Sequence, residues 1–172
     1  MQIKTELSFV PTHQKLYKAI SDLTSPVSES YPDYQDWYQK IFLEGLKKGE
    51  RGILFAEEKG RLVGCALIKN TPIEKKLCTL FVHPDFRGKG IGTFLLKRTI
   101  EMLGQKPLTS VSGKNKSAFA SLFHRFGFCL SAQKKGIYLP TETEFYFNDE
   151  RAEAVQKGLL PVLIARARQL KK

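Results

Sequence analysis

Three glycines at every second position follow an arginine in the segment Arg87–Thr93, directly after the apolar run Leu77–Val82. Glycines in such a loop let backbone N–H groups turn toward one point and let a ligand approach the main chain. The amphipathic helix predicted after the loop adds the positive end of its dipole. With Arg87 and Lys89 beside it, the loop has the composition of a pyrophosphate-binding cradle.

The spacing of the glycines separates this loop from two other phosphate-binding loops. No Gly-Lys-Ser/Thr sequence ends it, so it is not a Walker A element, and the sequence argues against ATP chemistry. Its glycine pattern is G-x-G-x-G, and no carboxylate ends a following strand at the distance that a dinucleotide-binding fold requires.

The segment Val82–Gly92 reads Val-His-Pro-Asp-Phe-Arg-Gly-Lys-Gly-Ile-Gly. It resembles the acyl-CoA-binding motif Q/R-x-x-G-x-G/A of the GNAT superfamily of N-acetyltransferases. A second block, Leu122–Phe128, is similar to that family's L-Y-x-x-x-G-F ending. The resemblance implies an α+β fold in which a mixed, mostly antiparallel central sheet is flanked by helices. It also implies an enzyme that uses acetyl-CoA as co-substrate and no metal.

The resemblance assigns roles to the residues of the motif. The backbone of Leu80–Val82 would pair with the pantetheine arm, and the N–H of Val82 would polarise the thioester carbonyl. The amides of Gly88–Thr93 would hold the pyrophosphate while a primary amine attacks directly. The implied cofactor-binding residues are Leu80, Phe81, Val82, Arg87, Gly88, Lys89, Gly90, Ile91, Gly92, Thr93, Asn115, Lys116 and Phe123.

The sequence departs from the family pattern at the general acid. Phe123 stands where similar enzymes carry the tyrosine that protonates the leaving thiolate. Three explanations stay open. A thiolate with a pKa of about 8.5 needs no acid at neutral pH; Tyr138 or His124 substitutes; or the protein binds acyl-CoA with little turnover.

The cofactor asparagine and the general base are also not settled by sequence. The family's spacing would place the cofactor-contacting asparagine at position 116, where this sequence has Lys116, and Asn115 lies one residue earlier. Glu74 is the carboxylate nearest to the motif, and His83 has a suitable pKa range for a base but also a position that shapes the loop. On the strand itself the inward positions are Lys76 and Cys78, and a thiol in an apolar run is usually inert packing.

The elements that position the motif follow from periodicity and breakers. We predict a first strand over Met1–Val10, a helix capped by Thr12, and a second helix from Asp33 to Lys48 with Trp37 and Ile41 facing inward. A hairpin turns at Lys59-Gly60, and Leu77–Val82 is predicted to be a central strand covered on both faces. The remaining predictions are a helix from Gly92 to Leu103, a strand over Pro107–Ser112, a helix over Ser117–Phe126, and closing strands over Phe128–Leu139 and Glu144–Phe147.

Two further features bear on domains and partners. Residues 1–147 are predicted to form the acyltransferase domain, and 148–172 a helical extension packed on it or on a partner, with a homodimer as one alternative. Aromatic and acidic residues between Ser25 and Tyr38 suit a cationic small-molecule amine or a peptide N-terminus. The net charge of +11 instead points to acidic partners, with nucleic acid as a weaker alternative.

The sequence argues against a membrane-spanning, a secreted or a disulfide-stabilised protein. No run approaches the roughly 20 apolar residues of a membrane span, and the N-terminus does not read as a signal peptide. The three cysteines are predicted to be buried thiols of a cytoplasmic protein, without disulfides or metal spacing.

Overall fold

The computed structural model describes residues 2–6 and 11–149. The strands are β1 (Gln2–Glu6), β2 (Arg51–Glu58), β3 (Arg61–Asn70), β4 (Lys75–Val82), β5 (Thr109–Ser112), β6 (Leu130–Lys135) and β7 (Thr143–Phe147). The helices are α1 (Gln14–Thr24), α2 (Tyr34–Trp37), α3 (Leu43–Lys47), α4 (Ile91–Leu103) and α5 (Gly113–Arg125), and a π-helical turn (Tyr38–Phe42) joins α2 to α3. The predicted order of strands and helices is confirmed up to β7. The predicted tail helix lies outside the described residues.

The chain divides into two compact units, Met1–Pro107 and Leu108–Lys172. The first contains a four-stranded sheet in the order β1-β2-β3-β4, and the second a three-stranded sheet in the order β5-β7-β6. Every described strand pair is antiparallel. The α+β class with antiparallel sheets flanked by helices is therefore confirmed, although the strands form two sheets instead of one.

Strands β2 and β3 lie at the centre of the first unit because both of their faces are covered. Five successive residues of β2 and six of β3 are buried. Alternate residues of a strand point to opposite faces. Ile53 and Phe55 therefore pack with α1 and the helical segment 34–47, whereas Gly64 on the other face approaches Ile91 and Leu95 of α4.

The helical segment 34–47 corrects one sequence prediction. Ile41 was expected to face inward, but it is 51% exposed, and Phe42 is buried in its place. The buried positions Tyr34, Tyr38, Phe42 and Leu46 recur every four residues. The π-helical turn has more residues per turn than an α-helix, so it shifts the buried face by one residue relative to the predicted phase.

Other boundaries also differ from the predictions. Thr12 lies inside a short 3₁₀ turn, and α1 begins at Gln14 after His13, whose side chain makes no capping hydrogen bond. The fifth helix begins at Gly113, four residues earlier than predicted. The hairpin turn is confirmed, with positive φ at both Lys59 and Gly60, as a type I′ turn requires.

The prediction for β4 as a central strand covered on both faces is wrong. In its sheet β4 is an edge strand beside β3, and only Leu77 and Thr79 along it are fully buried. A run of apolar residues does not distinguish a central strand from an edge strand, because the distinction depends on which strands pair. Within residues 2–6 and 11–149, no helix has the length and hydropathy to cross a membrane.

Candidate acyl-CoA site

The loop between β4 and α4 is anchored to the end of the strand. The N–H of His83 donates to the carbonyl of Val63 on β3 (2.9 Å), and Pro84–Phe86 forms one 3₁₀ turn. The Arg87 Nε donates to the carbonyl oxygen of Val82 (3.0 Å), and the guanidinium lies over the Phe81 ring. The arginine of the motif therefore holds the loop against the strand while staying exposed.

Two glycines give this loop its shape. Gly88 and Gly90 have φ values of 74° and 80°, in the left-handed region that favours glycine. A β-carbon added at either position would meet no described heavy atom within 4 Å, so both glycines border open space. The backbone is thus exposed where the sequence predicted close approach of a ligand.

The first N–H groups of α4 point out of the N-terminal end of the helix, which directly follows the glycine loop. The first helical bond runs from the N–H of Phe94 to the carbonyl of Gly90 (2.9 Å). The N–H groups of Ile91, Gly92 and Thr93 precede it and have no intrahelical acceptor. Together with the helix dipole, these donors form an anion-binding end of α4. At the other end, Lys75 of β4 donates to the carbonyl of Leu103 (2.5 Å).

The outer edge of β4 presents backbone groups away from β3. In an antiparallel pair, successive residues alternate in direction, and the His83 N–H points to β3. The N–H and C=O of Val82, and of Leu80 two residues earlier, therefore point away from β3. The bond from Arg87 to the Val82 carbonyl agrees with this direction. An extended ligand arm laid along β4 would meet donors and acceptors at these two residues.

The predicted base Glu74 lies far from these groups. It precedes β4, eight residues before Val82, which corresponds to about 26 Å of strand at about 3.3 Å per residue. Its carboxylate is paired with Lys69. This separation disfavours Glu74 as a base at the Val82 end of β4.

His83 and Cys78 have contacts that fit structural roles. The Nδ1 atom of His83 lies 3.3 Å from the amide of Asp85, and its Nε2 lies 3.2 Å from Arg61. Burial raises the pKa of the Cys78 thiol, although the cations Lys76 and Arg51 act in the opposite direction. A thiol with a raised pKa is protonated at neutral pH and is a poor nucleophile. This agrees with inert packing of Cys78 rather than an acyl-enzyme role.

The remaining predicted residues lie in the second unit. Asn115 lies in the first turn of α5, where its Nδ2 donates to the Ser112 hydroxyl (3.1 Å). The ammonium of Lys116 lies 3.9 Å from the centre of the Phe145 ring. Tyr138 lies between β6 and β7 and is 47% exposed. The structure thus leaves Asn115 and Lys116 both as candidates.

The placement of Phe123 corrects its assignment as a cofactor-contacting residue. Its side chain is 2% exposed. The ring stacks on Phe128 with centroids 4.9 Å apart, meets Phe147 edge to face at 4.9 Å, and touches Phe119. A ring enclosed by three rings of its own unit acts as core packing, so the family's tyrosine position has become part of an aromatic core.

The aromatic segment predicted to bind a cationic amine is also largely core. Tyr34 and Tyr38 are buried, and the Tyr38 hydroxyl donates to the carbonyl of Tyr17 (2.9 Å). Burial raises the pKa of both phenols. Asp36 is paired with Lys40 on the same helical segment. These contacts leave little aromatic surface in this segment that a cationic amine could reach.

Sequence reasoning missed Arg51, at the start of β2. Its guanidinium lies over the rings of Trp37 (5.6 Å) and Phe42 (5.7 Å), and its Nη1 lies 3.6 Å from the Cys78 sulfur. The alternation Arg51-Ile53-Phe55 was the available signal, because it places this cation on the same face as two core residues.

Comparisons with known proteins agree with the fold and the motif. The profile described as "Acetyltransferase (GNAT) family" matches residues 14–128. An uncharacterized N-acetyltransferase of Methanocaldococcus jannaschii is 32% identical over 110 residues, which cover 57% of this chain and 48% of the relative. This chain therefore spans about half the length of the curated relative that it matches.

Two solved structures share the fold. A putative acetyltransferase of the GNAT family from Desulfovibrio desulfuricans has a TM-score of 0.66 at 19% identity, covering 85% of this chain and 97% of that one. The NatC complex bound to Gag peptide and CoA contains a chain with a TM-score of 0.65 at 18% identity, covering 86% of this chain and 97% of that one. With the family profile covering most of the sequence, the predicted family is confirmed: the chain belongs to the GNAT family of acetyltransferases.

Proposed function

We propose that this chain is an acetyl-CoA-dependent N-acetyltransferase that transfers the acetyl group to a primary amine by direct attack on the thioester. Membership of the acetyltransferase family supports the enzyme class. The NatC neighbour, which binds a peptide and CoA, supports a peptide N-terminus as one acceptor class. The proposal treats residues 1–147 as the catalytic domain.

One observation carries the proposal. Amides without intrahelical acceptors at the start of α4 adjoin Gly88 and Gly90, whose left-handed backbone borders open space. This arrangement suits a diphosphate better than a side chain, since the donors come from the main chain and the glycines let it approach. Exposed Arg87 and Lys89 add positive charge at the same loop.

The edge of β4 supplies the second part of the proposed site. We assign the outward N–H and C=O groups of Leu80 to the pantetheine arm, and the Val82 N–H to the thioester carbonyl oxygen. When bound, acetyl-CoA would supply an activated acetyl group. A backbone N–H preorganised on that oxygen favours the negative charge that develops during attack by the amine. The rigidity of β4, held by β3, keeps this donor in place.

Proton transfer is assigned to solvent rather than to a dedicated side chain. Glu74 is distant from Val82 and paired with Lys69, and each ring nitrogen of His83 lies near a polar group of the protein, Nδ1 near Asp85 and Nε2 near Arg61. An amine that arrives neutral needs only water to accept its proton after attack. The leaving thiolate, with a pKa of about 8.5 in solution, needs no acid near neutral pH. His83 and Tyr138 remain predictions as proton carriers.

Three measurements test the proposal. Calorimetric titration with CoA should show binding, and incubation with acetyl-CoA and a panel of amines and peptides should release free thiol above the rate without acceptor. Mass spectrometry of the product should show acetylation at a primary amine. If CoA binds but no acceptor causes release of free thiol from acetyl-CoA, the enzymatic proposal is contradicted. If CoA does not bind, the proposed acyl-CoA site is contradicted.

The core position of Phe123 favours one alternative, an acyl-CoA-binding module with little turnover. No phenolic hydroxyl stands at the family's acid position, and the ring is enclosed by neighbours. This alternative expects tight binding of CoA and no thiol release. A measurable rate in the natural sequence eliminates it.

A further inference from the structure

Three cations lie side by side on adjacent strands of the four-stranded sheet. Arg51 of β2 is directly opposite Lys69 of β3, and Lys69 is directly opposite Lys76 of β4. Directly opposed residues share one face of a sheet. This face is the one that packs against α1 and the segment 34–47, because Ile53, Phe55 and Leu67 of the same alternation belong to that core. We call Arg51, Lys69 and Lys76 the cation row.

The cation row places three like charges side by side on neighbouring strands. Like charges directly opposite on neighbouring strands are destabilising. The carboxylate of Glu74 pairs with Lys69 and neutralises one of the three charges. Among the described residues, neither Arg51 nor Lys76 forms an ion pair. Two half-buried cationic side chains therefore lie in the row without a carboxylate in ion-pair contact among the described residues.

The fold holds Arg51 in place rather than letting it extend into solvent. Its guanidinium lies over Trp37 and Phe42, and its stem passes along α3 at a glycine. A β-carbon added at Gly45 would lie 2.6 Å from the Arg51 Nε and 2.7 Å from its Cδ. The helix therefore has no side chain at the one position where the arginine runs against it. A guanidinium preorganised in this way is well suited to binding a carboxylate or phosphate.

The cation row lies along β4 from the proposed acetyl-transfer end. Lys76 is four residues from Leu80 and six from Val82, which corresponds to roughly 13–20 Å at about 3.3 Å per residue. We propose that the cation row binds an acidic group of the acceptor. The acceptor is then an extended primary amine, such as a peptide, with a carboxylate or phosphate four to six residues beyond its N-terminal residue, at positions 5 to 7, at about 3.3 Å per extended residue. This inference rests on the proposed function, because the amine position is taken from it.

Peptides with a free N-terminus test the inference. Each peptide carries one Asp at a position from 2 to 7, and each is compared with its Asn counterpart; a second series replaces Asp by phosphoserine. With the natural protein, kcat/KM should be about tenfold higher for the acidic peptide than for its neutral counterpart at one or more of positions 5 to 7. The Asp series tests recognition of a carboxylate, and the phosphoserine series tests recognition of a phosphate. Equal rates for acidic and neutral peptides at every position would overturn the inference.

Matched variants locate the preference. Arg51→Met keeps the apolar stem without the charge, and Lys76→Gln removes the second cation. Each should reduce the acidic preference about tenfold through KM, with unchanged kcat/KM for neutral peptides and unchanged affinity for CoA. Lys15→Gln, on an exposed position of α1, carries the same change of charge and should leave the preference intact. A preference that persists in Arg51→Met and Lys76→Gln would refute the assignment.

Direct binding separates the inference from the proposed function. Titration of the same peptide pairs without acetyl-CoA should show tighter binding of the acidic member, and Arg51→Met should abolish the difference. If no peptide is acetylated but this difference is found, the proposed function fails and the anion site stands. If peptides are acetylated without any difference, the function stands and the anion site fails.

Discussion

The two left-handed glycines at the ends of α4 provide a matched test of the acyl-CoA site. Gly90 precedes the helix with φ 80°, and Gly104 follows it with φ 68°. A β-carbon at either position meets no described heavy atom within 4 Å, so steric clashes do not distinguish the two sites. Holding a residue with a β-carbon in this conformation costs about 1–2 kcal/mol. Gly90→Ala and Gly104→Ala should therefore lower the free energy of unfolding by similar amounts.

Binding of CoA should separate the two variants. Gly90→Ala adds a methyl group to the residue that directly precedes the amides of Ile91, Gly92 and Thr93, where we place the pyrophosphate. We expect its Kd for CoA to rise at least about tenfold, equivalent to about 1.4 kcal/mol. Gly104→Ala, at the opposite end of the same helix, should bind CoA like the natural protein. Urea unfolding measures the first quantity and calorimetric titration the second.

Two results would refute this reasoning. Equal affinity for CoA in both variants, at equal loss of stability, would show that the start of α4 does not hold the cofactor. Equal weakening in both would show that helix stability, rather than the amide donors, controls binding. Thermal stabilisation by CoA provides an independent readout, because a ligand that binds only the folded state raises the melting temperature by an amount that grows with the logarithm of the ratio of its concentration to its Kd.

Three further predictions concern packing and ionisation. Gly45→Ala should displace the Arg51 side chain and lower the preference for acidic acceptors while CoA affinity is unchanged; a retained preference would contradict the packing argument. Phe123→Tyr should lower the free energy of unfolding by about 1–3 kcal/mol without raising turnover, because a hydroxyl enters a ring cluster; a faster enzyme in the thiol-release assay would show that the position faces the thiolate. Burial raises the pKa of Cys65 from its ordinary value of 9.0 to about 12. Between these values the unfolded chain releases a proton that the folded chain retains, so the free energy of unfolding should fall as pH rises above 9, by up to about 1.4 kcal/mol per pH unit. Urea unfolding between pH 9 and 11 measures how steeply the free energy of unfolding falls with pH. In Cys65→Ala this fall should be shallower, by the equivalent of about one proton released on unfolding. An unchanged pH dependence would contradict the assignment to Cys65.

The loop motif and the order of elements were predictable because their signals are local. The alternating glycines of Gly88–Gly92 and the apolar run before them lie within one short segment, and their backbone preferences depend on neighbouring residues only. Gly104 ended α4 as predicted, and Lys59-Gly60 formed the predicted tight turn. Hydrophobic periodicity likewise located the helices and strands, although the starts of α1, α5 and β5 and both ends of β6 differ from the predicted bounds.

Errors arose where the outcome depended on distant residues. The burial of Phe42 in place of Ile41 follows from a π-helical turn, which changes the helical phase without a clear local signature. The position of β4 at the edge of its sheet depends on which strands pair. Phe123 matched a motif position by spacing, but its neighbours Phe128 and Phe147 made it part of the core.

By itself, the sequence determined the family, the element order and the glycine loop, because each is encoded in contiguous residues. Only the tertiary structure brought Arg51, Lys69 and Lys76 into one row, since cross-strand register joins positions up to 25 residues apart in the chain. It likewise turned the Val82 N–H away from β3, because the bond between His83 and Val63 sets the direction of each backbone group along β4. Local preference thus specified the pieces of the site, and long-range pairing decided which of their groups face a ligand.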